Sequence, residues 1–139
     1  MAASLSCLYV DDDPGLRELV RLNLSLEGVT VHLADSGIGV EAKAALLAPD
    51  LILLDIMMPG RDGYDVLSGL KATEATRDIP VIMLSARSSD ADIWEGWQRG
   101  ADYYVTKPFD TTKLVRYLRR VHRETAHVRQ GARSRSALP

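Results

Sequence analysis

Residues able to carry out metal or phosphate chemistry stand at the ends of four short apolar runs in this 139-residue chain. Three consecutive acids, Asp11 to Asp13, follow the first run, and Asp55 closes the run "LILLD". Ser85 follows "VIML", and Lys107 comes shortly after "ADYYV". Each pair of carboxylates brought together in a partly dehydrated site costs on the order of 4 kcal/mol. A hard divalent cation such as Mg²⁺, which prefers oxygen ligands, would offset that repulsion.

Asp55 is the residue best suited to a covalent step. A carboxylate held beside a metal ion and an amine stays ionised and can form an aspartyl phosphate. Mg²⁺ and Lys107 would neutralise the phosphoryl oxygens, and Ser85 would donate a hydrogen bond to another oxygen. Positioning and charge neutralisation are most of what phosphoryl transfer requires. The alternative is that the acids only cap helices, but one cap needs one Asp rather than three.

The elements that must bring these residues together alternate between strands and helices. Apolar runs predict strands at 5–10, 29–33, 51–55, 81–84 and 101–105. Helical spacing predicts helices at 14–27, 37–47, 63–74, 89–99 and 111 to about 124, the last capped by Asp110 or Thr111. Repeated βα units predict an open parallel sheet with helices on both faces. Ligands bind outside the carboxyl ends of such strands, so the acids, the hydroxyl and the amine should meet there.

Composition and charge favour a single cytoplasmic domain. The apolar content of 46% is enough for a core, and one cysteine, Cys7, excludes an internal disulfide framework. No segment approaches the roughly 18 apolar residues that a membrane span needs, and the N-terminus lacks the features of a secretory signal. From Arg119 onward six Arg and one Glu give a charge of +5, which leaves −7 on the remainder. We predict a folded domain at 1–124 and a basic, flexible tail or linker at 125–139.

At its strand ends the sequence closely resembles the receiver domain of bacterial two-component response regulators, and among them the chemotaxis regulators. The segments that carry the resemblance are "YVDDD", "LLDIMMPGRDG", "MLSA" and "VTKPF", in this order. The resemblance spans residues 5 to about 124 and implies a flavodoxin-like, doubly wound α/β fold with five helices and strand order 2-1-3-4-5. It implies that Asp55 accepts the phosphoryl group and that Lys107 precedes a cis proline bond.

The resemblance also implies the cofactor and the phosphoryl donors. Mg²⁺ would be held by Asp11, by Asp12 as the direct ligand, by Asp55 and by the backbone carbonyl of Met57. A histidine kinase, a phosphotransfer protein or a small acyl phosphate would donate the phosphoryl group. The chain would therefore be a regulatory domain rather than an enzyme, although it phosphorylates itself in the presence of Mg²⁺.

A conformational switch is the further implication of this resemblance. Ser85 moves toward the phosphate, and Tyr104 swings inward into the space that Ser85 leaves. The surface formed by the fourth helix, the fifth strand and the fifth helix then changes toward an output domain or a partner protein. Self-dephosphorylation should be slow, because Met57 offers water no hydrogen bond; Arg87 occupies the matching position after Ser85.

The same surface departs from that of regulators that dimerise through charged pairs. Ile93, Tyr103 and Tyr117 stand where charges are often found. A homodimer through this surface, a more apolar partner surface and ordinary packing are all compatible with these residues. Trp94 and Trp97 are predicted to face the core, and no direct contact of the basic tail with nucleic acid, and none with a membrane, is expected.

Three other classes of protein share part of the pattern. A phosphohydrolase of the haloacid dehalogenase kind needs an acid two residues after its Asp nucleophile, where this chain has Met57. A flavodoxin-type electron carrier needs a neutral phosphate loop after the first strand, where Asp11 to Asp13 would repel phosphate. An inactive receiver that serves only for docking would not need the complete set of acids, hydroxyl and amine.

Overall fold

A single five-stranded sheet forms the centre of the computed structural model, which describes residues 5–85 and 101–136. Its strands are β1 (Ser6–Val10), β2 (Thr30–Ala34), β3 (Leu51–Asp55), β4 (Val81–Ser85) and β5 (Tyr103–Thr106). All neighbouring strands run parallel, and their order is β2-β1-β3-β4-β5. This arrangement confirms the predicted doubly wound parallel sheet and its strand order.

The described residues form four helices around the sheet. They are α1 (Pro14–Leu26), α2 (Val40–Leu47), α3 (Gly63–Ala72) and a C-terminal helix (Thr111–Ser136). The helix predicted at 89–99 lies outside the described residues, together with Arg87, Ile93, Trp94 and Trp97. None of the helices in the described part of the chain combines the length and the apolar character that a membrane span requires.

The core lies on both faces of the sheet. Every residue of β3 and β4 is buried, because helices cover both faces of these central strands. Successive side chains of a strand point to opposite faces, so Ile52 and Leu54 join a cluster with α2 and α3. Leu51 and Leu53 join a second cluster with α1 and the C-terminal helix. The two-sided burial explains why β3 and β4 appear in the sequence as apolar runs without polar alternation.

The turn after β3 holds the end of that strand at the sheet edge. The backbone N–H of Gly63 donates a hydrogen bond to the carbonyl oxygen of Ile56 at 2.8 Å and closes the loop. A Cβ atom at Gly63 would lie 2.4 Å from the carbonyl oxygen of Asp55, so only glycine permits this approach. The first turn of α3 therefore sits directly against the end of β3.

Two helices differ from the sequence prediction by three residues or more, whereas α1 and α3 end one and two residues early. Helix α2 begins at Val40 rather than at residue 37, because Gly39 has a left-handed backbone with φ of 74°. The C-terminal helix continues beyond residue 124 to Ser136, over a stretch without proline. The predicted end of this helix near residue 124 is therefore wrong, whereas a flexible tail or linker at 125–139 stays a prediction. The domain boundary near residue 124 stays a prediction.

Candidate functional site

Three carboxylates converge at the carboxyl edge of the sheet. Asp11, Asp12 and Asp55 each offer one oxygen atom, and these atoms lie within 4.8 Å of one another. They meet because β1 and β3 are neighbours in register, with Val10 paired to Leu54. Ligand oxygens of octahedral Mg²⁺, at about 2.1 Å from the ion, stand about 3 to 4 Å apart. The donor set and spacing therefore fit this ion after small side-chain movements.

The three consecutive acids have separate tasks. Asp13 caps α1, since its Oδ1 accepts hydrogen bonds from the backbone N–H groups of Gly15 at 3.0 Å and Leu16 at 3.2 Å. Asp11 is fully buried, whereas Asp12 is exposed at the rim of the cluster. The capping explanation thus holds for Asp13, and Asp11 and Asp12 belong to the acidic site.

Lys107 brings a positive charge to this site from the loop after β5. Its Nζ lies 3.1 Å from Oδ2 of Asp11 and 3.2 Å from Oδ1 of Asp55. The backbone N–H of Lys107 donates to the carbonyl oxygen of Ser85 at 2.7 Å, which fixes the loop to the end of β4. The bond between Lys107 and Pro108 is cis, as the resemblance implied. Burial alone would lower the pKa of Lys107, but the charges and hydrogen bonds of Asp55 and Asp11 together raise it.

Asp55 is 4% exposed and closes the fully buried strand β3. Burial and the charge of Asp11 raise the pKa of Asp55 to about 6, against the opposing effects of Lys107 and of a hydrogen bond from the backbone of Met57. Burial and the negative charge of Asp11 together therefore outweigh the ammonium group of Lys107. A divalent cation at this point would restore the charge balance and favour the ionised carboxylate.

Tyr104 lies on the strand where the sequence placed it, and Ser85, which was predicted to follow the fourth strand, is the last residue of β4. Ser85 ends β4 and is buried, one residue after Leu84, the partner of Asp55 in β3. Tyr104 is half-buried on β5, pairs with Met83 and packs against the cluster between the sheet and α3. Their movement on phosphorylation stays a prediction.

The two methionines after Asp55 have different surroundings. Met58 is buried in the core, whereas the side chain of Met57 is 51% exposed. Met57 therefore places an apolar, accessible side chain two residues after Asp55. The role of its carbonyl oxygen as a metal ligand stays a prediction.

Arg61 anchors the loop that follows Asp55. Its Nη1 donates to the carbonyl oxygen of Gly37 at 3.0 Å and lies 2.6 Å from Oε1 of Glu41 on α2. Its Nη2 donates to the carbonyl oxygen of Asp65 on α3 at 3.3 Å. A Cβ atom at Gly69 would lie 2.7 Å from Nη2, so this glycine makes room for the guanidinium group. The anchor ties the loop to both α2 and α3.

Two contacts with Asp11 were missed in the sequence. The hydroxyl group of Tyr9 donates to Oδ2 of Asp11 at 2.6 Å, and Nη1 of Arg17 donates to its backbone carbonyl at 2.7 Å. A signal for the first contact exists, because residues two apart on a strand share a face. Tyr9 is also a residue with a polar end inside an apolar run, and such a buried hydroxyl needs a partner.

Tyr103 and Tyr117 are half-buried and pack against each other at the edge of the second core cluster. Their ring centroids lie 5.5 Å apart in an edge-to-face arrangement. The hydroxyl group of Tyr103 donates to Oε2 of Glu124 at 2.6 Å. Packing within the domain therefore accounts for part of the surface of both side chains.

Comparison with known families identifies the class of protein that this fold and site define. The family model of the response regulator receiver domain matches residues 7–119. The chain belongs to this family, which confirms the resemblance inferred from the sequence.

It is 42% identical over 131 residues to the DNA-binding dual master transcriptional regulator RpaA of Synechocystis, covering 94% of this chain and 54% of RpaA. It is 40% identical over 118 residues to the phosphate regulon transcriptional regulatory protein PhoB of Pseudomonas aeruginosa, covering 85% of this chain and 52% of PhoB. The chain thus spans about half the length of these regulators.

Solved receiver structures are similar over most of the chain. The chemotaxis protein CheY4 of Vibrio cholerae matches with a TM-score of 0.81 and 30% identity, covering 86% of this chain and 99% of CheY4. The receiver domain of sensor histidine kinase PA1611 from Pseudomonas aeruginosa matches with a TM-score of 0.79 and 32% identity, covering 86% of this chain and 98% of that domain. That structure has a magnesium ion coordinated in the active site cleft.

Proposed function

We propose that this receiver domain is a phosphorylation-activated switch in which Asp55 accepts a phosphoryl group in a Mg²⁺-dependent reaction. The observation that carries the proposal is the position of Lys107, whose ammonium group contacts both Asp55 and Asp11 at the sheet edge. Asp12 completes an acidic cluster suited to a hard cation. These three kinds of group supply the nucleophile, the counter-charge and the metal ligands that phosphoryl transfer to a carboxylate requires.

Asp11, Asp12, Asp55 and the carbonyl group of Met57 would hold the magnesium ion, which when bound supplies positive charge to the phosphoryl oxygens. An oxygen of Asp55 forms the new bond to phosphorus. The bond from phosphorus to the donor's histidine nitrogen or acyl oxygen breaks, and the leaving group keeps the electron pair. Lys107 transfers a hydrogen bond from the carboxylate to a phosphoryl oxygen, and Ser85 donates another.

The phosphate changes the domain only through contacts that it makes better in one conformation than in the other. We assign those contacts to Ser85 and Lys107, and the coupled movement to Tyr104. The changed surface around β5 and the C-terminal helix acts on an output domain, a separate protein or a second copy of the chain. RpaA is a DNA-binding regulator. The similarity to RpaA therefore does not support the expectation that this chain has no nucleic-acid partner.

The phosphoryl donor is a histidine kinase or a phosphotransfer protein, and a small acyl phosphate can replace it in vitro. The signal ends when water hydrolyses the acyl phosphate. We expect this step to be slow, because the exposed thioether of Met57 next to Asp55 offers an attacking water no good hydrogen bond.

Intact-mass spectrometry after incubation with acetyl phosphate and Mg²⁺ tests the proposal. The wild-type chain should gain one phosphoryl group, and Asp55→Ala should gain none. Asp62→Asn is the matched control, since Asp62 lies in the same loop and caps α3, a task that Asn performs equally well. An unmodified wild-type chain, or equal labelling of Asp55→Ala, would overturn the assignment and favour a docking module.

A further inference from the structure

Tyr9 lies between the acidic site and the core. Its side chain is fully buried in β1 among residues of α1 and the C-terminal helix. Its hydroxyl group donates to Oδ2 of Asp11 at 2.6 Å, a short hydrogen bond to a charged acceptor. A phenylalanine would fill the same space, so packing alone does not require the hydroxyl group.

Asp11 is held by protein donors at both of its oxygens. Oδ2 accepts from Tyr9 and also from Nζ of Lys107 at 3.1 Å, and Oδ1 accepts from the backbone N–H of Asp13 at 2.9 Å. A carboxylate oxygen has about two lone-pair positions. Oδ2 is therefore saturated within the protein, and a metal ion can approach Asp11 only through Oδ1 or through a water molecule.

We propose that Tyr9 is a positioning residue that lowers the magnesium affinity of the site. Its hydroxyl group keeps Oδ2 of Asp11 out of the metal shell and stabilises the anion when no metal is bound. A group that stabilises the metal-free site more than the loaded site weakens binding by that difference. This inference rests on the proposed function of the same site.

Tyr9→Phe tests the inference, because it removes one oxygen atom and keeps the ring. In isothermal titration calorimetry with Mg²⁺ the variant should bind the ion about threefold to tenfold more tightly than wild type, the effect of losing part of one charge-assisted hydrogen bond. Its melting temperature should fall without Mg²⁺, and saturating Mg²⁺ should restore most of the loss. A merely structural role would lower both melting temperatures equally and leave the affinity unchanged.

Two further variants test whether the effect is specific to the hydrogen bond between Tyr9 and Asp11. Tyr117→Phe removes a phenol hydroxyl from the C-terminal helix, away from the site, and should leave the magnesium affinity unchanged. In an Asp11→Asn background, Tyr9→Phe should no longer alter the affinity. An unchanged or weaker affinity of Tyr9→Phe would overturn this inference alone, provided that wild type binds Mg²⁺. If wild type does not bind Mg²⁺, the metal site of the proposed function fails as well.

Discussion

Lys107 and Asp55 are 52 residues apart in the sequence and meet at the edge of the sheet, with Nζ 3.2 Å from Oδ1. The same ammonium group contacts Asp11, so one amine partly neutralises two buried acids. The backbone of Lys107 is fixed to the end of β4 by its hydrogen bond to Ser85. The positive charge of Lys107 is therefore held at the edge of the sheet in the unphosphorylated chain.

Replacing Lys107 should change the pH range in which Asp55 reacts. The charge of Lys107 lowers the pKa of Asp55, which nevertheless stands at about 6. In Lys107→Gln that pKa should rise by about 1 unit or more, and a larger part of the carboxyl groups should be protonated and unable to attack phosphorus. Labelling by acetyl phosphate at low Mg²⁺, followed over pH, should show the higher midpoint. Lys113→Gln, at an exposed position of the C-terminal helix, is the control; an equal midpoint in both variants would contradict the prediction.

Asp55 should cost the domain stability near neutral pH when Mg²⁺ is absent. Its pKa is about 6 in the folded chain against an ordinary value of 3.8, so the folded state binds the proton more tightly. The loss of stability is absent below the pKa of Asp55 in the unfolded chain. It grows as pH rises and reaches its full size above the pKa of Asp55 in the folded chain. Asp55→Asn should therefore unfold with a free energy about 1–3 kcal/mol higher than wild type at neutral pH.

Urea unfolding at a series of pH values measures this difference. The higher free energy of unfolding of Asp55→Asn should disappear as pH falls from about 6 to about 4. At neutral pH, Mg²⁺ should reduce the difference because it binds and stabilises wild type. Asp62→Asn, at an exposed cap, should show no comparable dependence. A constant difference between Asp55→Asn and wild type over the whole pH range would contradict the electrostatic explanation.

Gly63 should tolerate no side chain. A Cβ atom there would lie 2.4 Å from the carbonyl oxygen of Asp55 and 2.7 Å from Cα of Ile56, both of them backbone atoms. Gly63→Ala should lower the free energy of unfolding by about 1–3 kcal/mol, the usual cost of overpacking. Gly15→Ala is the matched control, because its Cβ would meet only Oδ1 of Asp13 at 3.5 Å. Chemical denaturation should show Gly15→Ala equal to wild type or slightly more stable, and equal losses in both variants would contradict the steric argument.

Arg61 should stabilise the loop after Asp55. Arg61→Ala removes the ion pair with Glu41 and hydrogen bonds to two backbone carbonyl groups. We expect a loss of about 1–2 kcal/mol in the free energy of unfolding, since hydrogen bonds from charged donors are stronger than neutral ones. Hydrogen exchange of the loop amides should also become faster. Arg77→Ala, an exposed arginine remote from the loop, should have neither effect, and normal loop protection in Arg61→Ala would contradict the proposed anchor.

The sequence alone predicted the parts of the fold that depend on burial and periodicity. The bounds of β3 were predicted correctly at 51–55 because the strand is covered on both faces and ends at a single acid. The meeting of Asp11, Asp12, Asp55 and Lys107 was predicted because parallel strands end at one edge. Both results follow from general properties of sheets and need no knowledge of individual contacts.

Side-chain contacts and helix ends were less accessible to sequence reasoning. Whether an acid caps a helix or faces the site depends on one backbone conformation, and Asp13 has the extended conformation of a cap, with φ of −82° and ψ of 108°. The hydrogen bond from Tyr9 to Asp11 depends on the register of β1 and on how far the ring reaches. The continuation of the C-terminal helix past residue 124 adds charged residues without an apolar period, so periodicity gave no sign of it.

The groups of the proposed phosphorylation site come from the ends of separate strands, from Asp11 after β1 to Lys107 after β5. A peptide bond cut between these two residues leaves neither fragment with both the acidic pair and the amine. Cleaved or incompletely synthesised chains would therefore fail to accept the phosphoryl group and would not be permanently active. Under the proposed function, a chain would need all five strands to accept the phosphoryl group.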